Sequence, residues 1–168
     1  GEAIPVSACT DQAGRPTTLA RMKGAVTVIT FTYTRCPMPT FCPLMDRHFL
    51  AIQKAVKADA RLNGHVQLAT VSFDPDTDTP AVLAAHGKAL GADPGMWTFL
   101  TGSRDDVDRF AARFGVSVMR GNDPLSEITH NLRTAVVDQS GTLVKIYTGN
   151  DWTPEQIVTD ARALVATR

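Results

Sequence analysis

Cysteine is scarce in this chain, with three in 168 residues. That is too few for a disulfide scaffold, and the odd number leaves one without an internal partner. An excess of one charge is also missing: 17 basic side chains balance 17 acidic ones. The balance excludes a disordered polyelectrolyte and a nucleic-acid binder that works through a basic surface. No apolar run approaches the roughly 18–20 residues that span a bilayer. There is no internal repeat, low-complexity tract or Pro/Ser-rich linker, and the length suits one core of about 100–200 residues. Residues 1–168 are therefore expected to form a single domain. The sequence opens at Gly1 rather than Met and reads as a trimmed or processed product, with any signal or anchor outside it. Val6-Ser-Ala-Cys9 has the form of a lipoprotein cleavage box, but Gly1 to Pro5 is not the apolar stretch that such a box follows.

What is present is an alternation of strand and helix signals. Ala25 to Tyr33 is rich in β-branched and aromatic residues and predicts a buried central strand. Phe41, Met45, Phe49, Ile52 and Val56 recur at steps of four and three, which predicts a helix to about Ala58. Val66 to Phe73 predicts a second strand. Thr79-Pro80 is an N-cap followed by proline, opening a helix that ends near Gly91. Met96 to Leu100 predicts a short strand, and Ser103 opens a helix to Phe114, with Gly115 at its C-terminal end. Leu132 to Asp138 and Thr142 to Tyr147 predict a β-hairpin, and Thr153-Pro154 caps a last helix. This order is that of a thioredoxin-like α/β sandwich, a central mixed sheet flanked by helices. Val6 to Leu19 adds an extra N-terminal β-hairpin around Asp11-Gln-Ala-Gly14.

The informative stretch is Thr34-Arg-Cys-Pro-Met-Pro-Thr-Phe-Cys-Pro43, between the central strand and the first long helix. In a continuous helix, residues six apart lie about 9 Å apart along the axis and on different faces. The prolines exclude that arrangement, because each pushes the residue before it out of the helical region. Cys36, Met38 and Cys42 are thus expected to be extended, with Cys42 as the N-cap and Pro43 as the first helical residue. The intervening loop can then fold back and bring the sulfurs together. A helix N-terminus favours a thiolate, the form that attacks disulfides and binds soft metals, and Arg35 stands beside Cys36 to help. The plainer alternative is a pair of small buried residues or an inert disulfide.

Two thiolates gain from a third donor, and there are four histidines. His48 is expected to be packed or half-exposed on the first helix, and His65 and His86 to face solvent. His130 lies just before the hairpin strand, at the end of the sheet where the cysteine loop should be. Position alone leaves it between a ligand and an ordinary core histidine.

Several passages in order resemble the SCO/SenC family of copper-binding, thioredoxin-like proteins. They are the early "DQAG", the "FTYTRCP" strand-to-loop passage, the second "CP", "VSFDPDTDTP", and His130 ahead of "AVVDQSGTLV". The resemblance implies that Cys36, Cys42 and His130 bind copper, as Cu(I) or Cu(II), and that the cysteines cycle between dithiol and disulfide. It places Asp74 near the site, outside the direct ligands. The family's usual spacing puts three residues between the cysteines, and this chain has five, like a subgroup with "CPxPxFCP". The longer loop contains Met38, which is either an additional thioether ligand for Cu(I) or a flexible loop contact. Cys9 reads as a small buried residue of the first strand.

The resemblance implies a metallochaperone serving the copper centre of a respiratory oxidase. Its partner would be a copper-accepting oxidase subunit or another copper chaperone. A monomer is expected, periplasmic or extracytoplasmic, touching a membrane only through an anchor outside this chain. The competing enzyme is a thiol-disulfide oxidoreductase acting on a partner copper protein. Against a thioredoxin-type enzyme, there is no Cys-x-x-Cys, and Arg133 stands where thioredoxins place a proline. A peroxiredoxin needs Thr-x-x-Cys, and Tyr33 holds that threonine's place. A structural zinc site would lack its fourth ligand.

Overall fold

The computed structural model describes residues 9–123 and 126–166. The chain opens with β1 (Cys9–Asp11) and β2 (Pro16–Thr17), joined by a turn in which the Asp11 carboxylate accepts from the backbone N–H of Ala13 and Arg15. This is the expected N-terminal hairpin, and Val6 to Ala8 of that expectation lie outside the described residues. A 3-10 turn (Leu19–Met22) leads into β3 (Val26–Thr32). Then come α1 (Cys42–Lys57), β4 (Val66–Ser72), α2 (Pro80–Leu90), β5 (Trp97–Thr101) and α3 (Arg104–Ala112). Two short strands follow, β6 (Val118–Met119) and β7 (Thr129–His130). The hairpin β8 (Arg133–Val137) and β9 (Leu143–Thr148) precedes α4 (Pro154–Ala166).

Seven strands form one mixed sheet in the order β2-β1-β5-β4-β3-β8-β9. β3 pairs parallel to β4 and antiparallel to β8, and all seven of its residues are buried. Strand alternation divides its side chains. Val26 and Val28 join Met45, Phe49, Ile52 and Val56 of α1 and Ile157 of α4 in one core. Ile29, Phe31 and Tyr33 join Phe73 and the α3 residues Val107 and Phe110 in the other. Burying each such side chain stabilises the fold by about 1.5–3 kcal/mol. The result is the expected thioredoxin-like sandwich. Among the described residues, no helix is long and apolar enough to cross a membrane.

Local signals set most of the ends. Thr79 Oγ1 accepts from Val82 N–H, Pro80 starts α2, and Gly91 closes it at a φ of 83°, a conformation that favours glycine. Ser103 Oγ caps α3 by accepting from Asp106 N–H. The β6–β7 pair had no counterpart in the sequence reading, because two-residue strands carry no periodicity.

The histidines outside the site depart from expectation in two cases. His48 is half-buried as expected, its ring 4.8 Å from that of Trp152. His65 is half-buried rather than solvent-facing, beside the start of β3, where its carbonyl accepts from Val26 N–H (2.9 Å). His86 is also no surface residue: its Nε2 donates to Asp46 Oδ2 of α1 at 2.9 Å. The other oxygen, Asp46 Oδ1, has no hydrogen-bond partner among the described residues, so the imidazolium is the main compensation for this buried carboxylate.

That bond raises the His86 pKa above its ordinary value, outweighing the opposing effect of burial. A raised folded-state pKa contributes stability that is complete below the unfolded value of about 6.5 and is lost as pH rises through the folded value. The urea-midpoint gap between wild type and His86→Ala is therefore expected to be wider near pH 6 than near pH 9. A gap that is flat or widens with pH would remove the charged pair from the account.

Candidate metal centre

The sheet order brings two remote segments to one place. The chain leaves β3 at Thr32, and the antiparallel neighbour β8 begins at Arg133, with Thr30 opposite Thr134. The cysteine loop and the segment carrying His130 therefore meet at the same end of the sheet. The loop then turns twice. Cys36 N–H donates to the Tyr33 carbonyl (3.3 Å), and Phe41 N–H to the Met38 carbonyl (3.0 Å). The helix start departs by one residue from expectation. Phe41 is the cap, Cys42 is the first residue of α1, and Pro43 follows it inside the first turn. Proline costs no hydrogen bond anywhere in that turn, because the first N–H groups have no helical partner, and this outweighs its preference for an extended predecessor.

One ligand atom from each of Cys36, Cys42 and His130 lies within 4.8 Å of the others, a group that could hold a metal ion. Both sulfurs are free thiols and buried, Cys42 at 2% exposure and Cys36 at 9%. His130 Nε2 lies 3.7 Å from Cys42 Sγ. On the other side of the ring, Nδ1 lies 3.0 Å from the Asn131 carbonyl, which can only accept. Nδ1 therefore carries the proton, and the neutral ring turns its Nε2 lone pair toward the sulfurs. Burial pushes the His130 pKa down, against the bond to Asn131, and keeps the ring neutral near pH 7. Aromatic rings of Phe73 (4.6 Å), Tyr33 (5.6 Å) and Phe41 (5.9 Å) surround it.

The thiol does not behave as its helix position suggests. Burial pushes the Cys42 pKa far up, only partly opposed by a hydrogen bond from the Tyr33 backbone. The helix terminus is worth about 0.3–1 kcal/mol, less than desolvating a thiolate, so metal-free Cys42 is a protonated thiol.

Three side chains lock the loop to its neighbours, among them Arg35, expected beside the Cys36 thiolate and found instead paired with Asp74. Asp78, fully buried, accepts from Thr34 N–H (3.0 Å), from Thr34 Oγ1 and from Ser72 Oγ (2.7 Å). Tyr33 Oη donates to the Ile128 carbonyl (3.5 Å) and accepts from Ile128 N–H (3.3 Å), two residues before His130. Burial pushes this phenol up to about 12. Arg35 pairs with Asp74 (2.7 Å) and donates to the Ser126 carbonyl (2.8 Å). Arg35 is thus a strut between three segments, and Asp74 holds that strut and is not in the donor group. Only the turn-rich composition of residues 74–79 hinted at Asp78; nothing local hinted at the Tyr33 contact.

Met38 lies at the surface, 42% exposed, and lines a cavity of about 130 Å³ together with Cys36, Phe41, Glu127 and His130. Cys9 is buried in β1 and paired with Thr17, which fits the small-core reading and speaks against a lipid-bearing cleavage site there.

Comparison with known proteins gives one family. The SCO1/SenC family model matches residues 8–166. A SCO1 protein homolog of Bacillus subtilis (strain 168) is 28% identical over 155 residues, 91% of this chain and 78% of the relative. A SCO1/SenC family lipoprotein of Bacillus anthracis str. Ames superposes with a TM-score of 0.85 at 30% identity, covering 97% of this chain and 95% of that one. BsSco, described as a member of the Sco family of cytochrome c oxidase assembly proteins with a disulfide switch, superposes with a TM-score of 0.82 at 25% identity, covering 99% and 95%.

The Asp78 anchor is directly testable. Asp78→Ala leaves one buried donor, Ser72 Oγ, and two half-buried donors of Thr34 without their partner, at up to about 1–3 kcal/mol each before relaxation. A loss of roughly 3 kcal/mol in urea-unfolding stability is expected. A loss below about 0.5 kcal/mol, the scale of an ordinary surface substitution, would deny Asp78 this role.

Proposed function

This chain belongs to the SCO1/SenC family, and on that premise we propose that it is a copper metallochaperone whose cargo is held by Cys36, Cys42 and His130. The observation that carries the reading is the convergence of two thiols and one imidazole donor within 4.8 Å, in a buried pocket. Two sulfurs and one nitrogen are a soft set suited to Cu(I), and the same set accepts Cu(II). Three protein donors leave an open position, as a carrier that must release its cargo requires.

Redox state and loading are linked through the sulfurs. Closing the Cys36–Cys42 disulfide gives up two protons and two electrons to an oxidant such as a partner's disulfide, and removes both thiolates as donors. The disulfide switch described for BsSco supports this coupling. The second reading, a thiol-disulfide oxidoreductase, draws on the same free thiol pair. What favours the first reading is the imidazole held beside the thiol pair, a third donor that a metal site needs and thiol-disulfide exchange does not. The proposed recipient is a copper-accepting subunit of a respiratory oxidase, in line with the assembly role described for BsSco. The proposed location is extracytoplasmic and membrane-anchored, as the lipoprotein relative suggests.

Titrating the reduced protein is expected to load one copper per chain, with a copper–thiolate charge-transfer band. Cys36→Ser and Cys42→Ser are each expected to abolish tight binding, and His130→Ala to weaken it by at least about tenfold, since losing even an outer partner of a ligand costs that much. An unchanged affinity and spectrum in His130→Ala would remove the histidine from the site. Because Cys42 is protonated in the metal-free protein, loading must release its proton. Apparent affinity is therefore expected to rise by at least about tenfold per pH unit between pH 6 and 8, read by competition with a chelator of known pH dependence. A pH-independent affinity would mean that the Cys42 thiolate is not a ligand.

A further inference from the structure

We propose, building on the copper reading above, that Met38 is a weak fourth Cu(I) ligand at the mouth of the site, bonding the ion through its thioether until a recipient's donor displaces it. Three observations converge on it. The two turns of the loop, Tyr33 to Cys36 and Met38 to Phe41, hold Met38 between the two cysteines. Its side chain is 42% exposed, although methionine is apolar and Cys36 and Cys42 on either side are buried. It lines the same cavity as Cys36 and His130, so it stands where an ion or a partner's donor reaches the sulfurs from solvent.

The chemistry of that wall is selective. The carboxylate in the lining, Glu127, is a hard donor suited to other cations. A thioether is soft and neutral, favours Cu(I) over Cu(II), and takes no proton in the ordinary pH range. Cys36, Cys42 and His130 supply three donors and leave one position open. A neutral, weak fourth donor there can hold the ion while one thiolate is exchanged for a donor of the recipient. The step is ligand exchange only: a copper bond to the recipient's donor forms as a copper–thiolate bond breaks, with no change of oxidation state. Met119 provides a control. It is more exposed, at 66%, and lies on β6 next to Val118, the residue paired with His130, yet it is not part of the cavity lining.

The test compares Met38→Leu and Met119→Leu with wild type and Cys36→Ser, each reduced and loaded with copper alone. Met38→Leu is expected to raise the Cu(I) Kd about tenfold, equivalent to about 1.4 kcal/mol. It should also lose one sulfur neighbour in copper X-ray absorption and leave the Cu(II) Kd within about twofold. Met119→Leu is expected to match wild type in all three. The proposal falls if Met38→Leu keeps the wild-type Cu(I) Kd and sulfur count. It falls equally if Cu(I) and Cu(II) weaken alike, which would make Met38 a packing residue. If Cys36→Ser still binds copper as wild type does, the cysteine–histidine centre fails and takes the Met38 ligand with it. If Cys36→Ser abolishes binding while Met38→Leu is silent, only the Met38 ligand fails.

Discussion

The backbone pairing of β3 with β4 on one side and β8 on the other is the constraint from which the site follows. Parallel pairing with β4 sends both strands toward the same edge, so the cysteine loop and residues 73–79 leave the sheet side by side. Antiparallel pairing with β8 makes the chain arrive at that edge from the other direction, carrying His130. Three segments far apart in sequence thus share one end of the sheet. Side chains then fix their spacing. Asp78 ties Thr34 to Ser72, Tyr33 reaches Ile128, and Arg35 spans Asp74 and Ser126. Apart from the local Ser72–Asp78 bond, each runs between segments remote in sequence, so together they hold the sulfurs and the imidazole in place before any ion arrives.

Burial shapes the chemistry of that end more than the helix terminus does. Cys42 is kept as a thiol, His130 as a neutral ring and Tyr33 as a phenol, in each case chiefly because a charged form would lose its water. Without metal the pocket carries no formal charge on these groups. That spares the fold the cost of an unpaired buried anion. It also makes the thiolate conditional on a cation or a redox partner that can offset it.

Much of this was legible in the sequence where a local signal existed. The β-branched run of β3, the apolar steps of α1, and the Thr79-Pro80 and Gly91 ends of α2 are all local, and the structure follows them within a residue or two. The cysteine pair was visible because the prolines around it forbid a plain helix. Long-range facts were not visible. His86 looked like a surface residue because its partner Asp46 lies 40 positions away. Asp78 looked like one more turn residue, and Tyr33 like one more strand residue. His130, 88 positions from Cys42, was a candidate by its place before the hairpin strand, and only the family resemblance made it a ligand. The one-residue error at Cys42 had a different cause: two proline effects compete there, and the local sequence does not weigh them.

On the proposed reading, in which Cys36, Cys42 and His130 hold copper, the surroundings and the donors would pull toward different oxidation states of the ion. Two thiolates and a neutral imidazole around Cu(II) sum to zero charge, while the same set around Cu(I) leaves one negative charge. A pocket that disfavours charge on Cys42 and His130 therefore favours the Cu(II) assembly electrostatically. The softness of the sulfurs favours Cu(I). Neither state is held with the full strength that matched donors and surroundings would give. On the proposed reading, a centre in which these two preferences oppose each other would accept both states. Protonation of Cys42 neutralises the Cu(I) assembly by removing one thiolate from the ion, which loosens it at the sulfur that burial already keeps protonated. On the proposed carrier reading, release is favoured from Cu(I), and the cavity-facing position, held only by the weak Met38 thioether, is where a recipient's donor would bind.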